Sequence, residues 1–405
     1  MTQLNWTEVQ HLYYWPENDR LKTAVQEAKF DTIFTMPGLK SDEMLVDKMA
    51  QTIFQMTGNK VTRPVFTQNV DGLKQLINSG NLRAAYNLTN TLLTESGQGL
   101  GKAGHPTKNT FEIFEIWSCR FQLMLALKMF HQLESELSSF DDLEAPDTFF
   151  QYYPDLKQRG YNGSMIPFSL RLIHAEAPKY STDPVQSIKR CCDLEANTRQ
   201  VIDFLYQEKK PESQMNLWRA RLEAVLMTKA RAWCGIKEYF QAISIYNELL
   251  ENSSEEKRST ILQLLSRIAI LIGDEKLVER YTREVTIQNS GAQNFYLHKG
   301  FKAAFFGNFS QALEHLQTAQ KGSGGLSNPA IANNEAICQL YSGKVEDSRS
   351  HIFSFNGAPN ESIFQNINTI SQLVSTAKDN SKQQFFIKNV DKMTDISDPQ
   401  NLKIH

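Results

Sequence analysis

The sequence predicts an all-α protein, a tetratricopeptide-type α-solenoid of about seven helical hairpins with a C-terminal capping helix. Three observations predict it. Apolar residues recur at three- and four-residue spacing in one segment after another, strand signals are weak throughout, and a Gly-polar or Lys-aromatic turn closes each segment. A self-similar period near 34 residues is the signature of stacked helical hairpins.

The period is clearest in residues 211–360, which read as regular repeats. Turns stand at Cys234 to Tyr239, Gly273 to Lys276, Gly307 to Ser310 and Gly343 to Glu346. The small residues that open the following helices are Ala242, Val278, Ala312 and Ser348, at spacings of 36, 34 and 36. Ala230, Ser266, Gly300 and Ala336 hold the matching place in the first helix of each hairpin, where a bulky side chain would push the crossing backbones apart. Ala319 is a third small site in its repeat.

Residues 65–210 carry the same unit with longer connections. A turn at Gly80 joins 70–78 to 86–93, a second unit runs from Trp117 through Leu133 to Phe140, and a third pairs 169–177 with 185–207, broken by Pro178 and Pro184. Two insertions interrupt them: 94–110, rich in glycine, and 145–166, rich in aromatics. Insertions of this length tend to be functional. Residues 1–64 form an extension with an aromatic cluster (Tyr13, Tyr14, Trp15) and an amphipathic helix over 42–54 that aligns Leu45, Met49 and Ile53, read as a strap on the solenoid. Residues 361–405 supply a capping helix over 361–376 and a polar tail that frays after Lys378.

Composition narrows the function. A chain of 405 residues, 41% apolar, has enough to bury a large core. Its formal charge of -2 leaves no excess of Lys and Arg for phosphate neutralisation, so nucleic acid is not the expected partner. The first ten residues lack the apolar core of a signal peptide, and no run approaches the ~18 apolar residues of a membrane span, so a cytoplasmic protein is expected. Five scattered cysteines (Cys119, Cys191, Cys192, Cys234, Cys338) read as reduced core thiols.

No motif supplies chemistry, and neither a cofactor nor a metal is expected. Gly99 to Gly104 matches a dinucleotide pattern and Gly101-Lys102 the end of a phosphate loop, but Ser96 replaces the required glycine and Ala103 the magnesium-binding hydroxyl. The preceding segment is also helical where a strand is needed. His174-Ala175-Glu176 is similar to a zinc-deaminase triplet without its cysteine pair, and Cys191-Cys192 point about 100 degrees apart on a helix. The histidines are dispersed, and an enzyme is not expected.

Contact with a partner is therefore the expected work, and three groups of residues are candidates. Gly99, Gly101 and Lys102 lie in the first insertion, and Tyr152, Tyr153 and Pro154 in the second. On the first helices of the repeats, Met227 and Arg231, Gln263 and Arg267, Leu297 and Phe301, and Asn333 and Ile337 share one face. There Arg231 and Arg267 are expected to stack into a basic ridge beside an apolar patch of Leu297 and Phe301, fit for an acidic-aromatic segment.

Two stretches are more specific than any repeat pattern. One is Leu-Leu-Thr-Glu-Ser-Gly-Gln-Gly-Leu-Gly-Lys-Ala-Gly from Leu92 to Gly104; the other is Tyr152-Tyr153-Pro154 followed by Gly163 to Glu176. With Leu217-Trp218-Arg219, Arg221-Leu222, Gly273-Asp274 and Asn333 to Ala336, the region from Asn69 to Ser375 resembles the C-terminal repeat region of the subunit 12 family of the TRAPP (trafficking protein particle) complex. The resemblance implies a non-catalytic scaffold in a metazoan assembly that activates a Rab-type GTPase in traffic between the endoplasmic reticulum and the Golgi, and in autophagy. It implies other TRAPP subunits as partners, especially the large arm subunits, with the GTPase reached only through the complex, and a peripheral place at the Golgi and the ER-Golgi intermediate compartment. The chain departs from longer members in lacking their extended acidic N-terminal region. A competing reading is a repeat adaptor or co-chaperone that clamps a partner's peptide carboxylate; Asn333 and Asn334 stand near the right place, but Leu297 and Phe301 replace the Lys and Asn of such a clamp.

Overall fold

The computed structural model describes residues 6–27, 30–58, 60, 65–140, 142–288, 293–321, 328–357, 359–374 and 380–389. Among them the regular structure is helical, with one isolated β-bridge between Phe149 and Ser164. Helices α1 (Trp6–Val9), α2 (Asp19–Gln26) and α3 (Lys48–Thr57) precede the hairpins. Then come α4 (Val70–Asn78), α5 (Leu82–Glu95), α6 (Phe111–Ala126), α7 (Phe130–Leu137), the short α8 (Pro154–Gln158), α9 (Phe168–Glu176), α10 (Val185–Gln207) and α11 (Glu212–Gly235). The regular repeats follow as α12 (Tyr239–Glu251), α13 (Glu255–Ile272), α14 (Glu275–Gln288), α15 (Gln293–Phe305), α16 (Phe309–Lys321), α17 (Pro329–Tyr341) and α18 (Val345–Ser354). They end on α19 (Glu361–Val374) and α20 (Ser381–Asn389).

Two compact units contain these helices: Met1–Val46 with Pro64–Ile245, and Asp47–Arg63 with Tyr246–His405. The fold is all-α, and within the second unit helices α13 to α19 each pack on their neighbours in sequence, as in a solenoid. The first unit is less regular. There α10 packs on α11 as well as on α9, so the third front hairpin has a partner on either side.

Repeat turns share one local device. At Gly80, Lys128, Lys237, Gly307 and Gly343 the chain turns left-handed, with φ between 59° and 79°. The amide there donates to the carbonyl three residues back and the next amide to the carbonyl five back, as Gly307 does to Ala304 and Asn308 to Ala303. That pair of bonds satisfies helix-end carbonyls and reverses the chain. Five residues past each turn a side chain enters the helix crossing: Ala85, Leu133, Ala242, Ala312 and Ser348 are all 0–1% exposed, as is Val278 past Gly273. Lys237 occupies the left-handed position of its turn, and Gly235 ends α11 in helical conformation.

Opposite these positions the small residues of the first helices are buried too. Ala230 and Ala336 are fully covered, Ser348 donates to the Ala336 carbonyl at 2.7 Å, and a Cβ on Gly300 would lie 3.0 Å from Leu316 Cγ. In the first unit the crossing of α5, α6 and α7 is polar. Arg120 is 0% exposed and donates to Glu136 at 2.6 and 2.7 Å, to the Tyr86 hydroxyl at 2.8 Å, to Thr89 at 3.1 Å and to Asn90.

Three expectations need correction. The helix expected over 42–54 begins at Lys48, because Asp47 accepts from the Ala50 amide and caps it, while Leu45 lies outside the helix and exchanges both backbone bonds with the Asn87 side chain at 2.8 Å. The tail expected to fray folds again: α20 buries Phe385 and Phe386, the latter stacked on Phe364 at 5.3 Å, and residues 375–379 and 390–405 lie outside the described residues. Among the cysteines, Cys191 and Cys338 are buried and Cys119 and Cys234 half-buried, but Cys192 is exposed on α10.

Two outcomes follow from these helices. Because Lys237 holds a conformation that costs a side-chain residue roughly 1 kcal/mol, Lys237→Gly is expected to raise the unfolding free energy measured in urea by about that amount, and Gly307→Ala to lower it by a similar amount. In the second unit His298 is 1% exposed, and burial, helped by the Arg267 charge, pushes its imidazole down from 6.5 to about 4. A folded value below the unfolded one means that the unfolded chain takes up more protons below pH 6.5; the contribution is whole above that pH and is lost as pH falls toward 4, by about 3 kcal/mol at most. Urea midpoints at pH 7 and 4.5 are expected to lie closer together in His298→Leu than in the parent.

Candidate functional site

The first insertion closes over the N-terminal extension. Where α5 ends, Gly97 turns left-handed at φ 82° and sends Gln98 inward, where it is 0% exposed. The Gln98 amide oxygen accepts from Trp117 Nε1 at 2.6 Å, its nitrogen donates to Asn109 at 2.9 Å, and Asn109 donates to the Thr35 carbonyl at 2.7 Å. Backbone bonds from Leu39 to Gln98 and from Gly104 to Met36 complete the clasp. Contact is so close that a Cβ on Gly38 would stand 2.2 Å from Ala103 N. Gly99 is buried in this clasp, and Leu100, Gly101 and Lys102 are exposed at its tip.

The second insertion grips the same extension from elsewhere in its unit. Asp147, 1% exposed, accepts from the Phe34 amide at 3.0 Å, the Thr35 amide at 2.7 Å and the Thr35 hydroxyl at 2.8 Å. Tyr152 is also 1% exposed, donates to the Thr32 carbonyl at 2.6 Å and meets Phe30 and Phe34 edge-on. Tyr153 donates to the Asp147 carbonyl at 2.9 Å, and burial pushes both phenols above their ordinary range. Ser164 donates its amide to the Tyr13 carbonyl at 2.9 Å, and the Trp15 indole donates to Glu144 at 2.7 Å beneath the Arg171 guanidinium. The structure thus places Tyr152 inside and Tyr153 half-buried beside it, as braces; Pro154 is exposed and opens α8.

The helix-face candidates are placed differently from the expected ridge. Arg231 lies in the first unit and pairs with Glu176 at 3.0 Å. Burial alone would raise the Glu176 carboxyl, and the hydrogen bonds and charges of Arg231 and Lys179 outweigh it and lower it. Arg267 is exposed in the second unit. Leu297 is only 7% exposed and belongs to the core with Ala312 and Leu316, and Phe301 is half-buried against it, so the expected apolar patch is an interior contact. Asn333 accepts from Asn366 at 2.7 Å.

The sequence reading missed a charged groove in the second unit. It holds about 520 Å³ between α14 and α15 and is lined by Lys276, Arg280, Arg283, Lys299, Lys302 and Glu279 among others. A signal was present in the spacing of Lys276, Arg280 and Arg283, which share one helical face, but the opposite wall depends on how α15 packs. Among the described residues no cluster of His, Cys, Asp or Glu has the makings of a metal site, and no helix is long and apolar enough to cross a membrane.

No family model matches the chain. Trafficking protein particle complex subunit 12 of Mus musculus is 31% identical over 418 residues, covering 94% of this chain and 52% of that protein. The Homo sapiens protein of the same name is 30% identical over 401 residues, 91% of this chain and 54% of that one. The chain therefore spans about half the length of the curated relatives it matches. Among solved structures, a tetratricopeptide repeat protein from Parabacteroides merdae matches 58% of this chain and 98% of its own at 11% identity and a TM-score of 0.35. The apo quorum sensor NprR of B. thuringiensis matches 95% and 98% at 9% identity and a TM-score of 0.42. The repeat geometry rests on the turns and crossings above, not on these two likenesses.

Placement inside or outside the clasp separates bracing from docking residues. Tyr152→Ala is expected to lower unfolding free energy by about 3 kcal/mol, because it removes a buried ring and its hydrogen bond, whereas Leu100→Ala with Lys102→Ala leaves the melt within about 0.5 kcal/mol. An unchanged melt for Tyr152→Ala would return that residue to the docking candidates.

Proposed function

Because this chain is a relative of trafficking protein particle complex subunit 12 along 94% of its length, we propose that it serves as a non-catalytic scaffold subunit of such a complex. The observation that carries the reading is the reach of that likeness, which extends beyond what shared repeat turns require and takes in both insertions and the extension they hold. In this reading the two units present exposed helical edges to other TRAPP subunits, above all the large arm subunits, with the exposed loop tip at Leu100 to Lys102 among the contacts. A Rab-type GTPase is reached only through the assembly. The chain works at the cytoplasmic face of the Golgi and the ER-Golgi intermediate compartment, in ER-to-Golgi transport and autophagy. The adaptor or co-chaperone reading gains no support, since Asn333 of its would-be clamp is engaged by Asn366 and Leu297 is core.

Purification of the tagged chain from cells, with mass spectrometry of what accompanies it, tests the reading. Other TRAPP subunits are expected in near-stoichiometric yield; chaperones alone would support the adaptor, and an empty purification would overturn scaffolding. The purified chain alone is expected to leave nucleotide release from a Rab-type GTPase at its spontaneous rate, and an acceleration of about tenfold would make it catalytic.

A further inference from the structure

We propose that the hollow between the N-terminal extension, the second insertion and α10 is a binding site for one basic side chain, a lysine or an arginine, carried by a protein partner. It holds about 320 Å³ and lies within the first unit. Glu17 is the one charged residue of its lining, which contains no Lys, Arg or His. The Glu17 carboxylate is exposed, and its contact is with a neutral group, Gln151 Nε2, from which it accepts at 3.2 Å; among the described residues it pairs with no cation. Tyr14 and Phe204 form two walls, with ring centroids 5.6 Å apart and planes at 78°. Among the described residues neither ring has a cation over it. The third ring, Trp15, is different: Arg171 covers it at 3.7 Å and is itself paired with Glu144.

The walls are fixed before a ligand arrives. Gly163, at φ 96°, lies so close to the Tyr13 carbonyl that a Cβ would stand 2.0 Å from it, which sets the chain just ahead of Tyr14. Gln151 accepts from the Gly163 amide at 3.0 Å while it donates to Glu17, so the insertion orients the carboxylate. Chemistry then selects the occupant. The electron-rich face of a ring attracts a cation, and a carboxylate beside it adds a charge-assisted hydrogen bond. Phosphates of a nucleic acid or an anionic lipid meet no cation in this lining and are repelled by Glu17. A neutral alkyl chain gains contact with Phe204, 44% exposed, but leaves Glu17 unpaired. A methylene stem with a charged head satisfies both. The volume stands at the lower end of the ~300–1,000 Å³ of small-ligand sites and suits a single side chain. The choice of a protein as its source rests on the scaffold reading, whereas the preference for a cation rests on the hollow alone.

The test is saturation-transfer NMR of the full chain with the N-acetyl, N-methylamide derivatives of lysine, arginine and norleucine, and with choline as a free small cation. The lysine or the arginine derivative is expected to bind in the millimolar range through its side-chain methylenes, and norleucine, which keeps the stem without the charge, at least about fivefold more weakly. Glu17→Gln and Phe204→Ala are each expected to weaken the basic derivative by about fivefold, and Leu100→Ala to leave it unchanged. Should Phe204→Ala fail to fold, Glu17→Gln, an exposed and near-isosteric change, decides alone. Absence of transfer to either basic derivative, equal binding of norleucine, or unaltered affinity in Glu17→Gln overturns the proposal. Choline bound more tightly than both basic derivatives overturns the protein source and makes the occupant a free cation. The isolated chain suffices for these measurements, so a failed co-purification and a failed cation site are separate results.

Discussion

The guanidinium of Arg120 is the point from which the first unit is organised. It lies wholly buried where α5, α6 and α7 meet, with its donors spent on Glu136, Tyr86, Thr89 and Asn90 and its face over the Tyr86 ring at 4.3 Å. Desolvating such a charge is costly, and the cost is recovered only while every partner stays in place, so the site enforces one arrangement of three helices. Trp117, one turn earlier on α6, is held by the same packing and donates to Gln98. From Gln98 the bonds pass to Asn109 and Thr35, which sets the position of the extension. One buried polar network therefore connects a helix crossing to a loop and the loop to a segment distant in sequence.

The second unit is held by a different constraint, close approach of backbones at small residues. Ala336 under Ser348 and Gly300 under Leu316 leave no room for more volume, and the left-handed turns at Gly307 and Gly343 set the distance between paired helices. Fewer specific polar contacts are needed, because each hairpin is positioned by its neighbour. Its surface is freer as a result, and the charged groove of α14 and α15 lies on it.

On the scaffold role proposed above, the division between inside and outside matters more than the identity of a motif. The tyrosines and glycines of the two insertions make those segments distinctive, yet much of that distinctiveness is spent on holding the extension: Gly163 admits the Tyr13 carbonyl, Tyr152 caps Thr32, and Asp147 gathers the amides of Phe34 and Thr35. What the clasp leaves exposed is Leu100 to Lys102 and Pro154.

Periodicity made the helices legible, and the spacing of small residues made the register of the repeats legible to the residue: Ala242, Val278, Ala312 and Ser348 stand at the crossings. Those features are local, set by helix pitch and by the volume allowed where two helices meet, so they are written along the chain itself. The candidate site was not legible in the same way. Tyr152 as a docking anchor and Tyr152 as a brace have the same sequence, and only the 30–39 segment packed against it makes it a brace. Leu297 became core and Lys276, Arg280 and Lys299 a common groove for the same reason, that exposure and charge density belong to surfaces built by several helices at once. Residues 380–389 show the limit most simply: in a tail polar by composition, they form a helix whose Phe385 and Phe386 find Phe364 waiting, a partner that only the packed structure supplies.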